Sequence, residues 1–270
     1  MGIVFDKTLG RAYDRWCHSG DGRMIDHCLP RLITTMLDPL PGERILDVGC
    51  GSGNHLLIFE KLGLDGSGVD PSATMLARAR ERLAARCRLH QGEAEDLPFE
   101  DNEFHLVSLI NTLEFVKSPI KALREAGRVA SRKVLIVTFN CFSCFGAGAG
   151  IRGLFGDPLF RAARMFSIME LKALAAAAYG NAPMTWRSIR KTRQISSLFP
   201  KSDVDSFILT RSPFGDMLTV AVTMKYVVKT DNLPIKAKLK EPGLRLVHPR
   251  TAEPFKRNSG GTRNEGSLSL

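Results

Sequence analysis

The 270-residue chain has no apolar run long enough to span a bilayer. Its opening residues, Met1-Gly2-Ile3-Val4-Phe5-Asp6-Lys7, show neither the apolar core of a signal peptide nor the hydroxyl residue of a myristoylation site. The expectation is a cytoplasmic protein without a transmembrane segment. Cysteine is sparse: six in a chain of this size give no disulfide framework. Cys141-Phe142-Ser143-Cys144 has no second Cys-x-x-Cys pair to complete a tetrahedral site, so no metal is expected. The glycine-rich stretch near residue 50 lacks both the Gly-Lys-Ser/Thr of a Walker loop and the Gly-x-Gly-x-x-Gly of nicotinamide and flavin folds.

What that stretch does contain is Ile45-Leu46-Asp47-Val48-Gly49-Cys50-Gly51-Ser52-Gly53-Asn54, an apolar strand with one acid running into three alternate glycines. Glycines so spaced let the backbone turn sharply and leave no Cβ between main chain and ligand. An acid just before them repels a pyrophosphate and attracts a cationic amine. That combination points to S-adenosylmethionine (SAM), which carries an ammonium and a sulfonium. Gly66-Ser67-Gly68-Val69-Asp70 is a second short strand ending in an acid, about twenty residues on, where dinucleotide folds place a ribose-binding carboxylate.

Strand patterns fall near 44–48, 66–70, 86–90, 104–110 and 133–139, and helical patterns near 54–62, 72–85 and 119–130. Alternation of this kind predicts an α/β fold: a Rossmann-like, doubly wound, mostly parallel sheet of seven strands, closed by antiparallel last strands near 184–189 and 217–226. Residues 1–39 are read as a helical cap and 40–228 as the main domain. Within 141–216, residues 146–150 read as a flexible glycine hinge. Ser167 and Glu170 suit a capping box on a helix running to Ala178. Residues 141–166 and 190–216 are read either as walls of an apolar acceptor pocket or as a dimer face. Residues 225–270 hold ten Lys/Arg against four Asp/Glu, so 229–270 is expected to be a basic, disordered tail that can attract nucleic acid or an anionic membrane.

Three segments, LDVGCGSGNH, GVDPSATMLARAR and GEAEDLPFEDNEFHLV, resemble in order and spacing the signature segments of class I SAM-dependent methyltransferases, close to the type 11, ubiquinone/menaquinone-methyltransferase-like group. The resemblance covers residues 40 to 140. It implies that Asp47, Gly49, Cys50, Gly51, Ser52 and Gly53 hold the methionine end, that Asp70 with Pro71 beside it takes the ribose, and that Glu93 and Ala94 seat the adenine. Ile110 and Asn111 then face the sulfonium, and Tyr13 belongs to a segment similar to one that caps the cofactor. Where relatives often carry a histidine or aromatic pair, this chain has Leu113-Glu114-Phe115. Its Asn111-Thr112-Leu113-Glu114 is also unlike the Asn/Asp-Pro-Pro-aromatic segment tied to methylation of adenine or glutamine amides.

The expected reaction is methyl transfer to a small apolar or aromatic acceptor through O, N or C. Should the acceptor have to lose a proton, Glu114, Tyr13 and His18 are the candidate bases. His55, at the helix start, is read as shaping the loop. Two other readings stay open: an RNA or protein methyltransferase docking through the basic tail, and a non-catalytic SAM-binding protein.

Overall fold

The computed structural model describes residues 2–84, 86–191 and 207–224. Strands β1 (Arg44–Val48), β2 (Asp65–Asp70), β3 (Arg88–Gln91), β4 (Phe104–Ile110) and β5 (Ala130–Phe139) run parallel. They are joined by α3 (Asn54–Lys61), α4 (Ala73–Leu83) and α5 (Pro119–Val129). Three further strands, β6 (Met184–Lys191), β7 (Phe207–Thr210) and β8 (Met217–Thr223), complete a sheet of order β3-β2-β1-β4-β5-β8-β6-β7. Strand β8 inserts antiparallel between β5 and β6.

The sheet has eight strands, one more than the seven expected. The extra one is β7, which pairs antiparallel with β6 at the edge, inside the stretch 190–216 read as pocket wall or dimer face. The expected strand end at 225–226, the basic tail 229–270 and residues 192–206 lie outside the described residues.

Alternation along the strands sorts the core into two layers. Ile45, Leu106, Ile110, Leu135 and Val137 face α1 (Lys7–Cys17), α2 (Gly20–Leu37), α3 and α4. Leu46, Val48, Val107, Leu109 and Ile136 face α5 and α8 (Ile168–Tyr179). Residues 7–37 form two helices packed on the first layer, with Trp16 edge-on to Phe139 at 5.2 Å. Asp14 pairs with Arg78 of α4 at 2.5 Å. The left-handed residue Asp38 ends α2. There Arg132 of β5 donates to the carbonyls of Leu37 and Asp38 at 3.1 Å each and pairs with Glu43 at 2.5 Å, so the end of the helix is bolted to the central sheet.

The glycine hinge expected at 146–150 is instead part of a helix, α6 (Cys144–Leu154), followed by a short α7 (Pro158–Ala162). Ser143 caps α6, accepting from the Gly146 amide at 2.8 Å. Packing selects two glycines of this helix, Gly146 and Gly153, while Gly148 and Gly150 face open space. A Cβ on Gly146 would lie 2.1 Å from the Asn140 carbonyl oxygen, and one on Gly153 would lie 3.0 Å from the Phe160 backbone. Close approach thus outweighs the poor helix propensity of glycine. In the next helix, Ser167 accepts from the Glu170 amide at 3.2 Å as expected of a cap, but the Glu170 carboxylate turns to Arg164.

Candidate cofactor pocket

Reversal of strand order between β1 and β4 opens a crevice at their carboxyl ends, the place where open α/β sheets receive ligands. A pocket with an empty volume of about 740 Å³ lies there. Gly49, Gly51 and Gly53 all have positive φ, from 53° to 81°. At Gly49 the need is also spatial: a Cβ would come within 2.5 Å of the Thr112 hydroxyl oxygen.

Asp70, at the end of β2, holds the loop closed. Its carboxylate accepts the Gly51 amide at 2.9 Å and the Ser72 amide at 2.8 Å, and one edge lines the pocket. Burial pushes its pKa up, and the two amides oppose that rise. On the far wall stand Glu93, Ala94 and Glu95; the last also accepts the Lys117 and Ser118 amides ahead of α5.

Asn111 closes the wall beyond β4. Its φ is +53°, a left-handed conformation uncommon outside glycine, and its amide donates to Val137 at 2.9 Å. The buried Oδ1 has no hydrogen-bond partner among the described residues, and the residue lines the pocket. A left-handed backbone and an unsatisfied buried acceptor on one residue of the lining are the kind of outlier that marks a ligand site.

The roof was not foreseen from the sequence. Residues 2–5 cross the pocket, tied by the Ile3 amide to the Phe115 carbonyl at 2.8 Å and by the Ser72 hydroxyl to the Phe5 carbonyl at 2.6 Å. The Phe5 ring stands edge-on to Phe115 at 4.9 Å and to Tyr13 at 5.9 Å. Apolar residues at Ile3, Val4 and Phe5, ahead of the Asp6 cap of α1, were the available signal. Met75, Thr112 and Val116 were missed as well.

Of the residues expected at the cofactor, Gly49, Gly51, Asp70, Pro71, Glu93, Ala94, Ile110 and Asn111 line the pocket, and so does Tyr13. Asp47 does not. On β1 its side chain points into the layer beneath α3, where it is fully buried. There it accepts from Ser108 at 2.7 Å and faces His55 Nδ1 at 3.4 Å. Burial pushes His55 down, but Asp47, with Asp26 farther off, more than reverses this and leaves its pKa raised. Cys50, Ser52 and Gly53 also stand behind the lining. Cys50 packs against Gly68, Ser52 accepts from Arg82 at 3.3 Å, and Gly53 abuts Leu83.

The three candidate bases also separate. His18 is exposed on another face, its Nδ1 bonded to the Asp14 carbonyl at 2.7 Å. Glu114 is buried away from the pocket and accepts the Phe139 amide at 2.8 Å, and burial lifts its pKa to about 8. Tyr13 reaches the pocket, but burial, with Cys17 and Asp26 nearby, holds its hydroxyl protonated well above the usual range. Among the described residues, none of 141–191 or 207–216 lines this pocket; residues 192–206, also expected as acceptor walls, lie outside the described residues. Among the described residues, no group of three or more His, Cys, Asp or Glu could hold a metal ion.

The charge of the lining decides its chemistry: Asp70, Glu93 and Glu95 are acidic, and among the described residues no Lys, Arg or His lines the pocket. A pyrophosphate would meet repulsion here and a cation attraction.

Residues 46–138 match the family model of a methyltransferase domain. The chain is 34% identical over 112 residues to the demethylmenaquinone methyltransferase of Renibacterium salmoninarum, covering 41% of this chain and 47% of that one. It is 36% identical over 111 residues to the chloroplastic 2-phytyl-1,4-beta-naphthoquinone methyltransferase of Arabidopsis thaliana, covering 37% and 42%. The chain thus spans less than half the length of these relatives. In fold it is similar to a SAM-dependent methyltransferase of Thermotoga maritima described as a possible histamine N-methyltransferase, with TM-score 0.60, 22% identity and coverage of 80% and 96%. Magnesium protoporphyrin IX methyltransferase of Synechocystis with bound S-adenosylhomocysteine (SAH) gives TM-score 0.58, 13% identity and coverage of 82% and 96%.

Proposed function

We propose that this class I SAM-dependent methyltransferase domain binds SAM in the acidic pocket beneath residues 2–5 and transfers its methyl group to a small aromatic acceptor of the reduced naphthoquinone type. The observation that carries the cofactor reading is the lining itself: among the described residues, three carboxylates and no cation, together with Asn111, whose buried Oδ1 is unsatisfied. These groups fit a ligand with positive charge at one end and ribose hydroxyls in the middle. The relatives' names and the apolar roof support the acceptor reading.

SAM, when bound, supplies an electrophilic methyl on a sulfonium. Asp70 would take the ribose hydroxyls while keeping the Gly51 and Ser72 amides, and Glu93 or Glu95 the adenine amine. Gly49 and Gly51 admit the methionine part close to the main chain. Asn111 would turn its oxygen towards the sulfonium. Ile3, Phe5, Phe115 and Val116 exclude water, so the lining charges act at short range in a low dielectric. Neither Glu114 nor Tyr13 is disposed to remove a proton. An electron-rich ring aligned behind the methyl can attack before it loses a proton: the S–CH3 bond breaks as the C–CH3 bond forms, SAH leaves, and the displaced ring proton passes to solvent as the ring regains aromaticity.

The test has two arms on the purified full chain. Calorimetry should record heat with SAM and with SAH; no heat with either sinks the reading entirely. Incubation with SAM and 1,4-naphthoquinol should give a product heavier by one methyl. Cofactor binding without that product overturns the acceptor class and leaves the cofactor site standing.

A further inference from the structure

The outward side of α6 has an unusual surface. Its exposed positions are Cys144, Ala147, Gly150, Ile151, Arg152 and Leu154, and its inward positions Gly146, Ala149 and Gly153 are buried. Only Arg152 is charged, and its guanidinium stacks over the Phe160 ring at 4.4 Å and the Phe145 ring at 5.6 Å. The helix is therefore apolar on both sides, a pattern that belongs to a helix covered on both sides. Its end is the extreme point: Leu154 is 86% and Phe155 88% exposed, next to Ile151 at 55%. Adjacent large apolar side chains standing this far into solvent mark a contact surface.

Charge around the patch indicates what covers it. On α6 and α7, Arg152 and Arg161 stand against Asp157 alone. That acid is engaged within the fold as the cap of α7, 3.0 Å from the Leu159 amide. A second copy would bring the same surplus of positive charge to the contact. An anionic bilayer opposes it with phosphates and accepts a Leu-Phe wedge without needing a complementary shape.

We infer that α6 and its Leu154-Phe155 tip form a docking surface for an anionic lipid bilayer, with the tip entering the headgroup boundary and the arginines at phosphate level. This goes beyond the methyl-transfer reading and is measured without a methyl acceptor, so the two fail separately.

The full chain should cosediment with phosphatidylcholine vesicles containing phosphatidylglycerol and bind pure phosphatidylcholine vesicles more weakly. The double variant Leu154→Ser/Phe155→Ser should partition at least about tenfold more weakly, from the apolar surface lost, with an unchanged melting temperature. In a Leu154→Trp variant, tryptophan emission should shift to the blue when the mixed vesicles are added. Sedimentation without that shift would place the contact elsewhere, for instance on the basic residues after 224, and overturn the proposal. So would equal partition of the double variant, or a wild-type dimer that the double variant converts to monomer.

Discussion

The two ends of the sheet hold their shape by different means. From β1 to β5, each element is set by its own sequence: alternating apolar strands, Ser72 and Pro119 opening helices, glycines where φ must be positive. From α6 to α8 the chain relies on contact between distant backbones, with Gly146 against the Asn140 carbonyl and Gly153 against Phe160. The first region bears the pocket and the second bears none of its lining. Affinity for the cofactor and anchoring of the outer helices should therefore be separable by mutation.

The largest effect belongs to the outer region. In Gly146→Val a side chain would have to occupy space 2.1 Å from a backbone oxygen, so a loss of about 3 kcal/mol in stability is expected by chemical denaturation. The dissociation constant for SAM should not change; if it rises in step with the destabilisation, the two regions are one unit. The converse is Asp70→Asn. It keeps the shape but loses the charge that the Gly51 and Ser72 amides and a ribose would share. Calorimetry should give about tenfold weaker SAM binding, equivalent to about 1.4 kcal/mol.

The join between the two regions is tested by pH. Glu114 accepts the Phe139 amide through its side chain, and its carbonyl accepts the Arg164 amide at 3.0 Å. Its folded pKa of about 8 stands above the ordinary 4.5. Between those values the folded state keeps a proton that the unfolded chain releases, so stability falls as pH rises through this window. Glu114→Gln mimics the protonated form and should remove that decline from a plot of melting temperature against pH. If the slope is the same in both proteins, the carboxyl is not the titrating group.

These contrasts also mark what was legible in the chain. The positions of the parallel strands along the chain could be read from local pattern, and most lining residues from Gly49 to Asn111 are ones that ligand chemistry had singled out. Asp47 was misplaced by a question of facing: strand alternation sends it under α3 to Ser108 and His55, although its position next to the glycines suggested the pocket. Glu114 follows β4 closely in sequence, yet its side chain turns to the end of β5. The roof escaped notice because four residues ahead of a helix carry no periodicity. α6 escaped because glycine-alanine alternation reads as flexibility until the surfaces it packs against are known.

Arg132, which bolts the end of α2 to β5, has a consequence for how the chamber exchanges its contents. With that helix end fastened, residues 2–5 are the less firmly tied part of the cap. Among the described residues their hydrogen bonds are those at Ile3 and at Ser72, each with a net strength of about 0.5–1.5 kcal/mol, joined by the ring contacts of Phe5 with Phe115 and Tyr13. Exchange is expected to be easier there than by movement of the two helices.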